Sequence, residues 1–286
     1  MVEHSSEQRE YVSEPAAGRR FSIDSLVRLS EALPSSYWRL DGVARALQDA
    51  ATEDWEDCGI VTDALWLARR TSLRRVGPWP VLYDRLRLTT FCSGVGAAWA
   101  ERRTNIYANG RLVIEAASLW VPIDPRGFPV RIPPTFHEIF AEAMMGRRVS
   151  GRVPLSSPTD TATRQPWPLR RADLDVIGHV NNAAVWQAVA EVVDAPVDAV
   201  DVIHHGPVEE GHRVELVSDV DAIWLVVDGE VRVSASVVRA SHDAGREVRA
   251  QDDQREAQRD ADGEGFVQPD DPQDDRQRGV GVDHDD

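Results

Sequence analysis

The residues best suited to chemistry lie in one stretch, Arg171-Ala-Asp-Leu-Asp-Val-Ile-Gly-His-Val-Asn-Asn, which ends at Asn182. Two acids come first, Gly178 marks a turn, and His179 and two asparagines open a helical pattern. Asn is a strong helix N-cap, because its side-chain oxygen accepts one of the amides that the first helical turn leaves unpaired. Those amides and the helix dipole favour negative charge. An acid, Asp175, and an imidazole, His179, beside such an end suit attack on a carbonyl, whose oxygen gains negative charge as it reacts. The plainer alternative is a turn acid and a capping imidazole that hold a sheet-to-helix junction, with Asn181 a simple N-cap.

The rest of the chain must position that stretch. Strand-like alternation near Phe21, Ile23 and Leu26 precedes a helix expected from Asp41, taken as its N-cap, to Cys58, with Gly59 as its stop. Val43, Leu47, Ala50, Ala51 and Trp55 share one face of that helix. The rhythm then changes to period two over 65–73, 83–92, 97–107 and 111–123, with Asn109-Gly110 as a hairpin signal. A short helix is expected over 134–145. A strand near Leu169, the Asp175–Asn182 turn and a helix to about Val193 repeat the plan. Strands follow at 200–205, 213–220, 222–227 and 230–239, with a hairpin at Asp228-Gly229. Asp41 and Asp175 are expected at equivalent points of the two halves. One sheet wrapped on a central apolar helix satisfies each half, and two such units side by side would pair edge strands otherwise exposed.

Composition narrows the function classes. The net charge of −16 is concentrated at the C-terminal end, where residues 241–286 hold 15 acids against 6 arginines, leaving about −7 for the first 240. Nucleic-acid binding is disfavoured, since phosphates demand a basic face. Two cysteines make no disulfide framework, and neither a signal peptide nor an eighteen-residue apolar window is present, so a cytoplasmic location is expected. The expected division is a flexible arm at 1–18, a first unit at 19–145, a linker at 146–163, a second unit at 164–240 and an acidic disordered tail at 241–286.

The Asp–Gly–His–Val–Asn–Asn turn on a helix-wrapped sheet resembles the hotdog thioesterases, and the two-unit version resembles the acyl-acyl carrier protein (acyl-ACP) thioesterases. In the first half, Trp66-Leu-Ala-Arg69, Thr90-Phe91, Arg102, the run Ser118 to Asp124 and Pro129-Val-Arg-Ile-Pro133 fall in that family's order. The likeness covers roughly Phe21 to Arg239. It implies an α+β fold of two tandem hotdog domains and hydrolysis of a fatty acyl thioester carried on acyl carrier protein or CoA. It also implies that the first half holds the acyl chain while the second carries the catalytic turn. Asp175 and Glu209 become the candidate carboxylates, His179 the group orienting carbonyl or water, and the amides of the helix that Asn181 opens the oxyanion donors. No metal or organic cofactor is implied, because water is the second substrate. Two positions depart from the pattern. Ile177 stands where the family has Asn, and Glu210 follows Glu209 where many plant members have Cys.

The remaining candidates have two readings each. Asn181 could touch substrate as well as cap. Trp55 is an acyl-tunnel wall or a core tryptophan. Arg170 and Arg171 are the best placed of several arginine pairs to receive a phosphopantetheine arm or acidic carrier protein, against plain surface charge. His204-His205 makes a poor chelate, since adjacent strand residues point to opposite faces, and reads as a surface pair. Cys58 and Cys92 read as small buried residues. A homodimer is compatible with the pattern. The alternatives are a hotdog acyl-CoA thioesterase, a dehydratase, for which the first half lacks a second His/acid set, or an acyl-binding scaffold made inactive by Ile177.

Overall fold

Each half of the chain lays down a strand, a helix and four further strands. The first half comprises β1 (Phe21–Leu26), α1 (Leu40–Cys58), β2 (Leu65–Arg75), β3 (Arg85–Val95), β4 (Ala100–Ala108) and β5 (Arg111–Ile123), and α2 (Pro134–Met144) follows it. The second comprises β6 (Thr163–Trp167), α3 (Asn182–Ala190), β7 (Val197–His204), β8 (Val214–Ser218), β9 (Ala222–Val227) and β10 (Glu230–Arg239). The computed structural model describes residues 11–240; the tail expected at 241–286 lies outside the described residues, as do the first ten of the arm.

All ten strands join one antiparallel sheet in the order β1-β3-β4-β5-β2-β7-β10-β9-β8-β6. Each half therefore runs inward from its first strand to its second, and the halves meet where β2 pairs with β7, Thr71 opposite Val202. The edge pairing expected from two side-by-side units is this seam. Both expected hairpins form. Asn109 and Gly110, at φ 50° and 80°, and Asp228 and Gly229, at φ 51° and 82°, put two successive left-handed residues at each turn, which matches the twist of the flanking strands.

The helices lie against one face of this sheet. Val43, Leu47 and Ala50 of α1 and Val185, Trp186 and Val189 of α3 are buried in one core with Leu73, Val200, Val202, Leu225 and Val233. Gly59 ends α1 in the left-handed conformation, as its position after the last apolar turn predicts. The N-cap is Arg39 rather than Asp41. Asp41 sits within the first turn, fully buried, held by the guanidinium groups of Arg39 at 2.6 Å and Arg45 at 2.9 Å.

That shift of two residues changes the internal repeat. Leu29 and Arg171 open matching one-turn 3-10 segments, Tyr37 and His179 form matching isolated bridges, and Leu40 and Asn182 start the helices, each pair 142 residues apart. By this offset the counterpart of Asp175 is Leu33, and that of Asp41 is Ala183. The expected equivalence of Asp41 with Asp175 is wrong, because an acid in the first turn of a helix carries the same sequence signal as a cap. Two further differences are smaller. α3 stops at Ala190 rather than about Val193, and the strand expected near Leu169 lies earlier, at β6 on the sheet edge, where Pro166 costs no ladder bond.

Residues 11–18, read as part of an arm, lie against the sheet. Tyr11 stacks under Arg74 and Arg103, with guanidinium carbons 4.4 and 4.8 Å from its ring centre. Gly18 presses on α2, where a Cβ would meet the Ala143 nitrogen at 2.4 Å.

Candidate active site

The turn 175–181 is built by its own polar groups. Asp175 Oδ1 accepts from the amides of Ile177 and His179, both at 3.0 Å. The Asp175 amide donates to the His179 carbonyl at 2.8 Å, and that of Gly178 to the Asp175 carbonyl at 3.1 Å. The loop closes at Gly178 with φ 81°, a left-handed position that glycine takes without strain. Asn181 then caps α3, its Oδ1 accepting from Ala183 N at 2.8 Å. With the Ala183 amide taken, Asn182 and Ala184 retain first-turn amides that helix geometry leaves without an intrahelical acceptor.

Glu209 reaches this turn from the loop after β7. The Val180 amide donates to the Val208 carbonyl at 2.8 Å, and His179 bridges Glu209 as an isolated ladder pair. The side chains follow, with His179 Nε2 3.6 Å from Glu209 Oε1. In the first half the corresponding bridge joins Tyr37 to Val81. An acid–imidazole–carboxylate set thus stands at one of the two helix starts, and Leu33, Tyr37 and Val81 stand at the other.

The other candidates divide. Arg170, itself exposed, is engaged within the protein: it holds buried Asp173, with Nη2 2.8 Å from Asp173 Oδ1, and reaches Gln187 of α3. The hydrogen bonds it donates to Asp173 raise its pKa. Arg171 is exposed. Trp55 is half-buried and lines a cavity of about 340 Å³ together with Trp66, Trp120, Phe136, Glu101 and Arg102. Trp55 and Trp66 ring centres are 5.4 Å apart, and Trp66 stacks on Phe136 at 5.7 Å. Asp175, His179 and Glu209 are not among its walls. The aromatic partners of Trp55 were not singled out as site residues in the sequence, although Trp66 carries the right signal, a large ring at the start of an alternating strand. Cys92 is buried, and burial pushes its thiol up to about 12, which leaves it inert.

His204-His205 is not a surface pair. Both are half-buried. Burial lowers both imidazoles, with the Arg69 charge adding to it, and His204 falls to about 4. Among the described residues, no group of three or more His, Cys, Asp or Glu side chains is placed to hold a metal ion, and no helix is long and apolar enough to cross a membrane.

A ten-stranded antiparallel sheet, twice wound on a helix, with its polar turn at one helix start, defines a double hotdog protein of α+β class. The fold is shared with the 12:0-ACP thioesterase from Umbellularia californica, at a TM-score of 0.67 and 19% identity, covering 77% of this chain and 97% of that one. It is shared equally with an acyl-ACP thioesterase from Bacteroides thetaiotaomicron, at 0.63 and 13%, covering 77% and 98%. Uncharacterized proteins of two Mycobacterium tuberculosis strains are 26% identical over 240 residues, 80% of this chain and 95% of theirs. The models of the acyl-ACP thioesterase N-terminal and C-terminal domains match residues 19–140 and 156–258. The chain belongs to the acyl-ACP thioesterase family, whose members are thioester hydrolases.

Proposed function

We propose that this protein hydrolyses fatty acyl thioesters carried on acyl carrier protein, with the chemistry confined to the second half. The observation that carries the reading is the His179–Glu209 pair at 3.6 Å beside the start of α3. Glu209 is the base: its carboxylate has His179 as its partner, whereas Asp175 Oδ1 is committed to two backbone amides. Such pairs tighten when substrate arrives. Glu209, with His179 orienting it, takes a proton from water as the water oxygen attacks the thioester carbonyl. The carbonyl oxygen becomes an oxyanion facing the first-turn amides of Asn182 and Ala184. Collapse of the tetrahedral intermediate breaks the C–S bond, and the proton passes to the leaving thiolate. Asp175 acts as a positioning residue that fixes the turn and, through its amide, His179. Asn181 acts as the cap. The cavity lined by Trp55 takes the acyl tail in the first half.

The test is release of free thiol from acyl-carrier-protein and acyl-CoA thioesters across chain lengths. Turnover should be found, faster with the carrier protein than with CoA, and Glu209→Gln should cut kcat by about 10²–10⁴-fold, the usual share of acid–base assistance. Acyl binding with no thiol release from any substrate rejects the hydrolase reading in favour of an acyl-binding scaffold.

A further inference from the structure

The strand β7 lies between β2 and β10, and its last residues run past a bulge in each neighbour. On β2 the register against β5 slips between Ala68 and Arg70, making Arg69 the extra residue. On β10 the register against β9 slips between Val231 and Val233, making Arg232 the extra residue. A bulge redirects a side chain, and bulges gather beside active sites. Both residues redirected here are arginines, and the segment between them is His204-His205-Gly206.

The contacts tie these groups together. The Arg69 guanidinium donates to the His204 carbonyl. The Arg232 carbonyl accepts from the amides of His205 at 2.8 Å and Gly206 at 3.3 Å. The Arg232 guanidinium lies over Gly206, where a Cβ would come within 2.9 Å of it. His205 Nε2 is 2.8 Å from Ser234 Oγ.

What distinguishes Arg69 is its lack of a counter-charge. The other three arginines of β2 each have a carboxylate: Arg70 with Asp201 at 2.7 Å, Arg74 with Glu115 at 2.6 Å and Arg75 with Asp198 at 2.5 Å. Half-buried Arg69 has one protein partner among the described residues, a neutral carbonyl. Burial lowers its pKa with no carboxylate opposing. Arg232 Nε is buried without a partner, and its Nη2 reaches the exposed Glu230 at 2.9 Å. A cation removed from water without a counter-ion is costly, and proteins keep such groups paired or in use.

We propose that Arg69, His205 and Arg232 form an oxyanion site of the phosphate class at the end of β7. Resting on the thioesterase reading, its occupant is the terminal phosphate of the phosphopantetheine arm. Glu209 follows His205 by four positions, a span of at most about 14 Å, so the phosphate end and the thioester end of one arm are held by the same loop. Unspent guanidinium donors supply charge and fork geometry, and the His205 imidazole joins as a donor once an anion is present.

Histidine NMR of the full chain, titrated with inorganic phosphate, tests the site without turnover. Phosphate should raise the pKa of His205, because an anion favours the imidazolium, and Arg69→Gln should abolish that shift while Arg69→Lys keeps part of it. A second measurement compares KM for an acyl-pantetheine with and without its phosphate. The phosphate should lower KM by about ten- to a hundredfold, the range of a charge-assisted hydrogen bond, and Arg69→Gln should collapse that ratio. Histidine resonances indifferent to tens of millimolar phosphate, or shifts and a KM ratio that survive Arg69→Gln, overturn the site. Phosphate-dependent shifts in a protein that releases no thiol uphold the site and overturn the thioesterase reading alone.

Discussion

Asp175 meets the backbone amide of His179 and Glu209 meets its ring, and hydrogen bonding decides which carboxylate can accept a proton. Asp175 Oδ1 serves the amides of Ile177 and His179, and each such bond contributes about 1 kcal/mol. Asp175→Ala should therefore lower stability by about 1–2 kcal/mol and disorder the turn, with activity lost alongside. Asp175→Asn retains the acceptor oxygen, so its melting temperature should stay near the parent's and its kcat fall less than about tenfold, against 10²–10⁴-fold for Glu209→Gln. Equal losses from the two amide variants would return Asp175 to the role of base. The turn was legible in the sequence because its chemistry is local: an Asp–Gly turn, an imidazole and a capping Asn lie within seven residues. Glu209 was not legible that way. It arrives through a register set by β7 and the loop after it, and only the family resemblance pointed to it. His204-His205 failed for a related reason, since alternation says which face a residue takes and not whether a neighbouring strand covers that face.

Strands announced themselves by alternation and their hairpins by Asn-Gly and Asp-Gly, so β5, β9 and β10 fall where the pattern put them. Helix starts were harder, because an acid in the first turn imitates a cap. The 142-residue offset shows how each half solved the same packing problem. Where the second half has Val180 and Ala184, the first has Trp38 and Gly42. A Cβ on Gly42 would meet Trp38 Nε1 at 2.5 Å, so the large ring is accommodated by a missing methyl. Two effects oppose in Gly42→Ala. Helix propensity favours alanine by about 1 kcal/mol, while overpacking costs about 1–3 kcal/mol. Trp38 is 1% exposed and has nowhere to retreat, so overpacking wins and the melting temperature should fall. Ala184→Gly, lacking any clash to relieve, should cost about 1 kcal/mol from propensity alone. A rise in melting temperature for Gly42→Ala would show that the indole can move. The cap on α3 is a separate matter, and Asn181→Ala should cost about 1 kcal/mol in thermal unfolding.

The two halves share a sheet and a core, and this governs how the molecule should unfold. Leu73 and Val43 of the first half are buried in the same cluster as Val202 and Val185 of the second, and removing either half would leave the β2 or β7 edge unpaired. Residues 11–240 should melt in one calorimetric transition, and residues 19–145 alone should not fold; two resolved transitions would contradict the shared core. Acid should weaken the whole earlier than its carboxylates do. His204 ordinarily titrates near 6.5, and burial, with Arg69 beside it, holds it at about 4 in the folded chain. Below 6.5 the unfolded state binds a proton that the native state refuses, so stability falls as pH drops from 6.5 to about 4 and levels off beneath it. Discounted for its partial exposure, the loss is on the order of 2 kcal/mol. Asp41 acts in a lower window. Burial alone would raise its pKa, but hydrogen bonds and charge from Arg39 and Arg45 outweigh that and lower it from 3.8, so its contribution persists until pH falls below 3.8. Urea midpoints followed from pH 7 to 4.5 should therefore decline, and His204→Gln should flatten the decline. A midpoint constant over that range would mean that native His204 protonates as freely as an unfolded one, and the burial at the end of β7 would have no electrostatic consequence.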